Sequence, residues 1–210
     1  GIFAYAGSSA GAVGSNVELR NGSITSVGHG VNLRDGSRAV ISGSKIETTG
    51  ANARGVFANG IGTHAEITDT DIITRSNTAP GIELAAGASA NATNVNITTS
   101  GSTSSGARVS GDGSTLVYKG GNISTTGGTA HGIDAWSGAQ VSVDNVNIKT
   151  GGSNSAGLRL NYAGTSLVAN GGTINTLGAN AYGVDVAAGA KAEVNNVDIT
   201  TAGGGAYAVR

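Results

Sequence analysis

The feature that most constrains this sequence is a glycine that returns every 25 or 26 residues along almost the whole chain. The two spacings alternate, and the glycines are Gly30, Gly55, Gly81, Gly106, Gly132, Gly157 and Gly183. An isoleucine stands nine residues before each of these glycines after the first, at Ile46, Ile72, Ile97, Ile123, Ile148 and Ile174. A period in the twenties that is kept this strictly is typical of a solenoid, in which each repeat forms one rung of a continuous coil.

Each repeat contains three short segments in which aliphatic and polar residues alternate, the pattern of half-buried β-strands. In the last full repeat these are residues 183–186, the pair Ala192 and Val194, and the pair Val197 and Ile199. The position three residues before the repeated isoleucine holds only Gly, Asn or Asp. These residues tolerate a left-handed backbone, so we expect a corner there. Three strands joined by bends predict a parallel β-helix with rungs about 4.8 Å apart.

The composition fits such a coil and excludes several classes of function. Charged residues make up 12% of the chain and aromatic residues 4%, whereas 37 of the 210 residues are glycine. Ordinary globular domains carry about 25% charged residues and about 7% glycine. A net charge of −1 gives no indication of a surface for nucleic acid or an anionic membrane, and no apolar run approaches the roughly 20 residues of a membrane span. The absence of cysteine excludes disulfides and thiolate metal sites.

We expect a single β-helix segment with three parts. Residues 1–29 form an irregular first rung, residues 30–206 form seven regular rungs, and residues 207–210 begin a truncated one. Neither end carries the distinct polar cap that shields the last layer of a solenoid. The chain is therefore expected to be a segment of a longer protein.

Several repeats resemble a known family. The segments GVDVAAGAKAEVNNVDITTAG (183–203) and LVANGGTINTLG (167–178) are similar to the right-handed β-helix passenger domains of bacterial autotransporters, the pertactin-like group. The repeat itself predicts an all-β parallel β-helix with about eight three-stranded rungs of 25–26 residues, and the resemblance implies that it is right-handed. It also implies export across the outer membrane by a C-terminal barrel, display at the bacterial cell surface, and a role as a virulence adhesin or self-association module.

The expected partners are a host surface protein, matrix or glycan, or another copy of the chain, and no cofactor is implied. Two alternatives stay open: a polysaccharide lyase or hydrolase on a β-helix, and a passive stalk that displays another module. An enzyme of that kind needs acidic residues gathered in one groove. Here the acids are spread among arginines, and the nearest cluster is Glu66, Asp69 and Asp71. We therefore do not expect an enzyme.

A column of alternating charges is expected on the outward side of the first strand. Two residues after successive opening positions stand Glu83, Arg108, Asp134, Arg159, Asp185 and Arg210. Stacked about 4.8 Å apart, each charge would lie between opposite ones. The simpler interpretation is a structural ladder that fixes register, because a slip by one rung would place like charges together. The alternative is a binding stripe for charged ligands.

A column of threonines is expected on the inward side, after the third strand. Two residues after the repeated isoleucine stand Thr48, Thr74, Thr99, Thr125, Thr150, Thr176 and Thr201. Each hydroxyl could bond a backbone group at the third corner, which is a structural role.

Trp136 marks the best candidate for a binding site. Its place in the strand directs it outward, beside Arg108, Asp134 and Arg159, and Tyr162 lies in the adjacent insertion. An exposed ring flanked by charges suits a sugar face or a protein partner, since aromatic residues and arginine are frequent hot spots. The simpler interpretation is a ring that only covers neighbouring side chains.

Two histidines occupy equivalent positions in the repeat. His29 and His131 are four rungs apart, roughly 19 Å at the strand spacing, which is too far to share a metal ion. We expect both to be solvated at an exposed corner, and we expect no metal site.

Overall fold

The computed structural model describes residues 1–6 and 14–210, and its regular elements are all β-strands. In chain order they are β1 (Ile2–Ala4), β2 (Asn16–Arg20), β3 (Ser23–Ser26), β4 (Val31–Arg34), β5 (Arg38–Ser42), β6 (Lys45–Thr48), β7 (Val56–Asn59), β8 (His64–Thr68), β9 (Asp71–Thr74), β10 (Ile82–Ala85), β11 (Ser89–Thr99), β12 (Ala107–Ser110), β13 (Thr115–Thr125), β14 (Ile133–Trp136), β15 (Gln140–Thr150), β16 (Leu158–Asn161), β17 (Ser166–Thr176), β18 (Val184–Ala187), β19 (Lys191–Asn195) and β20 (Asp198–Thr201). The predicted irregular first rung, residues 1–29, lies partly outside the described residues.

The strands form two sheets that wind along the same axis. The first sheet has the order β1-β4-β7-β10-β12-β14-β16-β18, and the second has the order β2-β5-β8-β11-β13-β15-β17-β19, with β3, β6, β9 and β20 alongside. The pairing is parallel, and each residue lies opposite its counterpart one repeat later, as Ile133 does with Leu158. The described residues thus form a parallel β-helix of about eight rungs, which confirms the fold predicted from the repeat.

The second and third strands of a rung merge in the middle of the molecule. β11, β13, β15 and β17 are each 11 residues long and continue through the corner, because backbone pairing is kept on both sides of it. The corner residue stays left-handed, with φ of 52° at Asn94 and 64° at Gly120. A Cβ at Gly120 would lie 2.7 Å from Asn94 Oδ1, and a Cβ at Gly171 would collide with Asn145 Oδ1. An asparagine side chain of one rung therefore fills the space over the corner glycine of the next.

The opening glycines are required by close packing. A Cβ at Gly132 would collide with Cγ2 of Ile148 in the same rung and would lie 2.5 Å from the Gly157 carbonyl oxygen of the next rung. The corresponding isoleucine and the next opening residue crowd the Cβ position in the same way at Gly30, Gly55, Gly81, Gly106, Gly157 and Gly183. The glycine and the isoleucine recur with the same period because they pack against each other in every rung.

The interior is a stack of aliphatic side chains with a column of threonines at one corner. Buried threonines at Thr48, Thr74, Thr99, Thr125, Thr150 and Thr176 each donate a hydrogen bond from Oγ1 to the carbonyl oxygen five residues later. Thr150 donates to Ser155 over 2.8 Å, for example. These bonds satisfy carbonyl groups at a bend of the buried backbone. Thr201, in the last rung, pairs with Thr176 in the sheet and is partly exposed.

Candidate functional site

The alternating charges lie on one outward face of the first sheet. Successive strands place Glu83, Arg108, Asp134, Arg159 and Asp185 directly opposite one another. Arg210 continues the column, and its Nε and Nη2 donate to the two carboxylate oxygens of Asp185 over 3.0 and 2.9 Å. Within each strand, the residues directly before and after the ladder residue point inward, because side chains alternate across a strand. We call this column the charge ladder.

The ion pairs along the charge ladder are unequal. Glu83 accepts hydrogen bonds from Nε and Nη2 of Arg54 over 2.8 and 3.4 Å, whereas Nη1 of Arg108 lies 3.8 Å from it. In the middle, Nη1 of Arg159 lies 3.6 Å from Asp134 Oδ1. The hydrogen-bonded pairs are therefore those of Glu83 and Asp185, and the arginines beside Asp134 act on it at longer range.

Arg54 is a residue of this face that the sequence did not single out. It stands directly before an opening glycine, in the same column as His29 and His131, and it reaches across one rung to Glu83. The residues that precede the opening glycines are of many chemical types, so the sequence pattern did not indicate a role for Arg54.

His131 is buried beside the charge ladder, with 6% of its surface exposed. Its Nδ1 accepts a hydrogen bond from the backbone N–H of Ala156 over 2.9 Å, and its Nε2 lies 3.4 Å from Nη1 of Arg159. Burial, together with the nearby Arg159 and Arg108, lowers the pKa of His131 to about 3. The prediction that this histidine is solvated is wrong, because the next rung and the ladder arginines cover the corner.

Asp134, the carboxylate in the middle of the ladder, is buried with 7% exposure, as is Asp185. Burial raises its pKa, and the opposing attraction of Arg159 and Arg108 is smaller. The 3.6 Å between Asp134 and Arg159 is longer than a charge-assisted hydrogen bond, which spans about 2.7–2.9 Å. Asp134 therefore has no strong ion-pair partner in the ladder.

Arg108 is anchored at one end and unsatisfied in the middle of its side chain. Its Nη2 donates to the Thr103 carbonyl oxygen over 2.9 Å, and its guanidinium carbon lies 5.9 Å from the centre of the Trp136 ring. Its Nε is buried and has no hydrogen-bond partner. Buried polar atoms are usually paired, so this donor requires an explanation.

Two hollows adjoin this part of the ladder. The first, the His131 hollow, has a volume of about 390 Å³ and is lined by Thr103, Arg108, Thr129, His131, Asp134, Asn154, Ala156, Arg159, Asn180, Tyr182, Asp185 and Arg210. The second, the Trp136 hollow, has a volume of about 340 Å³ and is lined by Arg108, Asp134, Trp136, Arg159, Asn161 and Tyr162. They share Arg108, Asp134 and Arg159, so together they form one depression that crosses the ladder.

The Trp136 hollow brings together the five residues singled out from the sequence as candidate binding residues. Trp136 is partly exposed and lies between Ser110 and Asn161 of the neighbouring rungs. Tyr162 is 55% exposed and adopts a left-handed backbone with φ of 71°. Its carbonyl oxygen accepts a hydrogen bond from the N–H of Thr165. Trp136 is the last residue of β14 and Tyr162 directly follows β16, so the two rings stand where neighbouring strands of the sheet end.

The rim of the His131 hollow carries backbone strain. Thr103 and Thr129 have φ of 55° and 53°, a conformation that β-branched residues rarely adopt. The same corner is left-handed in other rungs, with φ of 59° at Asn52 and 56° at Thr78, so this conformation belongs to the repeat and does not mark the hollow.

The acidic cluster considered for an enzyme lies away from the two hollows, and its carboxylates are hydrogen-bonded to asparagine side chains. Asp69, Asp71 and Glu66 accept hydrogen bonds from Asn94, Asn96 and Asn91 of the next rung. Nearby, Ser89 Oγ lies 2.7 Å from Nδ1 of His64. The backbone N–H of Ser89 is bonded to the Thr63 carbonyl in the sheet and cannot serve an oxyanion. We interpret these contacts as side-chain ladders along a flat outer face.

Residues 1–6 and 14–210 hold neither a cluster of metal-ligating side chains nor a membrane-spanning helix. They contain no group of three or more histidine and acidic residues that could hold a metal ion. Within the same ranges, no helix has the length and apolar character needed to cross a membrane.

Comparisons with protein-family models, with curated proteins and with solved structures found no match to this chain. What is shown is therefore the architecture: a parallel β-solenoid of about eight rungs, compatible with a β-helix domain.

Proposed function

We propose that this chain is part of an autotransporter passenger, displayed at a bacterial cell surface after export across the outer membrane, and that it acts by binding. The proposal rests on the resemblance of its repeats to pertactin-like passengers and on the β-helix fold. Its partners are a host surface protein, matrix or glycan, or another copy of the chain. The role is that of an adhesin or self-association module, with no catalytic step.

The observation that supports binding most directly is the Trp136 hollow. Two partly exposed aromatic rings, Trp136 and Tyr162, face a depression that also contains Arg108 and Arg159. Binding sites combine aromatic walls with a few polar groups that fix orientation. A rigid coil that carries such a site can be displayed in many copies, and multivalent attachment then gives strong adhesion from weak contacts.

Bead aggregation and adhesion test the proposal. Beads coated with the whole chain are expected to aggregate or to bind extracellular matrix, and Trp136→Ala and Arg159→Glu are expected to reduce the effect strongly. Matched controls are Leu177→Ala, which removes an exposed apolar residue elsewhere, and Lys119→Glu, which reverses an exposed charge on the second sheet.

The outcomes separate the open alternatives. Beads that aggregate without matrix indicate self-association, and beads that bind only to matrix indicate a host ligand. Beads that remain dispersed and bind nothing would contradict the proposal and favour the passive stalk.

A further inference from the structure

The middle of the charge ladder has an unbalanced charge. Arg54 is hydrogen-bonded to Glu83, and Arg210 is hydrogen-bonded to Asp185, so each end forms a neutral pair. Between these pairs stand two arginines, Arg108 and Arg159, and a single carboxylate, Asp134. One positive charge is left over in a partly buried place, since the side chains of Arg108 and Arg159 are 16% and 39% exposed.

The same place also holds more hydrogen-bond donors than acceptors. Because Nδ1 of His131 accepts the Ala156 N–H, the proton of the neutral ring must be on Nε2. That N–H faces Nη1 of Arg159, which is also a donor, so the 3.4 Å contact cannot be a satisfied hydrogen bond. The Nε of Arg108, a residue that also lines this hollow, is a second donor without a partner, and it is buried.

A bound anion would correct both imbalances at once. Its oxygen atoms would accept from His131 Nε2 and from the Arg159 guanidinium that faces it, and its charge would neutralise the surplus of the two arginines. A singly charged group matches the surplus, whereas a doubly charged phosphate would leave excess negative charge beside the buried Asp134. The site therefore selects a monoanionic oxyanion such as a carboxylate or a sulfate ester.

The Trp136 hollow shows what such an anion is attached to. It shares Arg108, Asp134 and Arg159 with the His131 hollow, so a group held in one lies next to the other. A sugar ring suits this lining, because its apolar C–H face can pack on Trp136 or Tyr162 and its hydroxyl groups can bond Asn161. We propose that the two hollows together bind an acidic sugar, with its carboxylate or sulfate ester in the His131 hollow and a sugar ring against Trp136. This inference deepens the proposed function and rests on it, because it names the ligand of the same surface.

Calorimetric titration of the whole chain tests the inference with defined probes. The probes are an oligogalacturonate, its methyl ester, a sulfated galactose oligomer and a short glutamate peptide. We expect the acid to bind and the neutral ester to bind at least about tenfold more weakly, since a charge-assisted hydrogen bond is lost. The sulfated oligomer separates the two sources of the oxyanion: tighter binding than the carboxylate would assign the site to sulfated sugars.

The variants distinguish the site from general charge attraction. His131→Asn keeps an acceptor for the Ala156 N–H but removes the Nε2 donor, so binding should weaken about tenfold while the melting temperature stays close to that of the wild type. Trp136→Ala should weaken binding of the sugar and not of the peptide. His29→Asn is the matched control, because His29 makes the same backbone bond outside the two hollows, and it should leave binding unchanged.

Several results would overturn the inference. Equal binding of the acid and its ester, unchanged binding by His131→Asn, or peptide binding as tight as sugar binding would each do so. Beads that adhere while acidic sugars fail to bind would leave the proposed function standing and remove this ligand. Acidic sugars that bind while beads adhere to nothing would support the site and contradict the adhesin.

Discussion

The rungs that begin after His29 and after His131 have equivalent backbone geometry but carry different side chains on the outward face. In both, Nδ1 of the histidine accepts the N–H of the residue before the next opening glycine, over 3.1 Å at Arg54 and 2.9 Å at Ala156. At the first region the ladder position of the next rung holds Phe57, and its ring is buried beneath the guanidinium groups of Arg34 and Arg54, 5.3 and 5.0 Å from its centre.

At the second region the equivalent of Phe57 is Arg159, and the equivalent of Arg54 is the small Ala156. The aromatic ring and one of the covering arginines are thus replaced by a charge and a methyl group, and the His131 hollow occupies this space. The comparison teaches that one rung geometry produces either a packed face or a binding hollow. The side chains at the ladder position and before the opening glycine differ between the two regions, as does Arg34, whose place is taken by Trp136.

Substitution of the opening glycines should affect both regions most and to the same extent. A Cβ at Gly30 or at Gly132 would collide with the isoleucine of its own rung and crowd the next opening carbonyl. We expect Gly30→Ala and Gly132→Ala each to cost about 3 kcal/mol or more of unfolding free energy. Gly128→Ala, where a Cβ would meet nothing within 4 Å, is the control. Denaturant unfolding that gave very different losses for Gly30 and Gly132 would show that the two backbones are not equivalent.

The next prediction compares the equivalent positions Phe57 and Arg159. Phe57→Ala removes a buried ring together with its contacts to two guanidinium groups, so it should cost about 3 kcal/mol. Arg159→Ala removes a half-exposed side chain whose ion pair with Asp134 spans 3.6 Å, and it should cost less than about 1 kcal/mol. Similar losses in urea unfolding of the two variants would mean that the second region is packed as tightly as the first.

The two histidines should differ in their dependence on pH. Burial lowers the pKa of His131 from 6.5 to about 3, so the unfolded chain takes up the proton first as pH falls. The stabilising contribution of the neutral ring is present above pH 6.5 and is lost between about pH 6.5 and 3. Unfolding free energy measured across this window should fall less steeply for His131→Asn than for the wild type.

The same substitution at the first histidine provides the contrast. Burial and Arg54 also lower the pKa of His29, but its ring is only partly buried. His29→Asn should therefore change the pH profile less than His131→Asn does. Parallel profiles for the wild type and His131→Asn would contradict the role assigned to burial.

The smallest effect is expected from Asp134→Asn, which gives the second region the residue that the first has at Asn32. Burial raises the pKa of Asp134, so its charged form is disfavoured by the fold. Removal of the charge should change the unfolding free energy at pH 7 by less than about 1 kcal/mol. The wild type should lose stability relative to the variant as pH rises above 3.8, through the folded-state pKa of Asp134. A loss of several kcal/mol at pH 7 would show that the ladder needs this carboxylate.

The repeat was sufficient to predict the fold because rung-to-rung contacts are periodic. Gly132 and Ile148 return at fixed spacings for one steric reason, and stacking then places residues of equal offset over one another. The column of charges followed from the same offsets. The merging of strands across the corner did not, since the corner residue remains left-handed whether or not pairing continues through it.

The chemistry of the site was less accessible from sequence, because it depends on contacts between columns. Arg54 reaches Glu83 diagonally from another position in the preceding rung. His131 stands at a corner, where exposure is the usual expectation, yet the arginines of the ladder fold over it. The period of the sequence specifies which residues stack in one column. Contacts between neighbouring columns depend on the length and conformation of the side chains.

The alternation along the coil means that its natural unit is a pair of rungs, one of 25 residues and one of 26. Loss of a single rung, residues 106–131, would set Glu83 over Asp134, so two like charges would be stacked on successive rungs. Loss of residues 106–156 would instead set Glu83 over Arg159, which keeps opposite charges together. Within the charge ladder, rungs can therefore be lost or gained two at a time without stacking like charges, whereas an odd number brings like charges together.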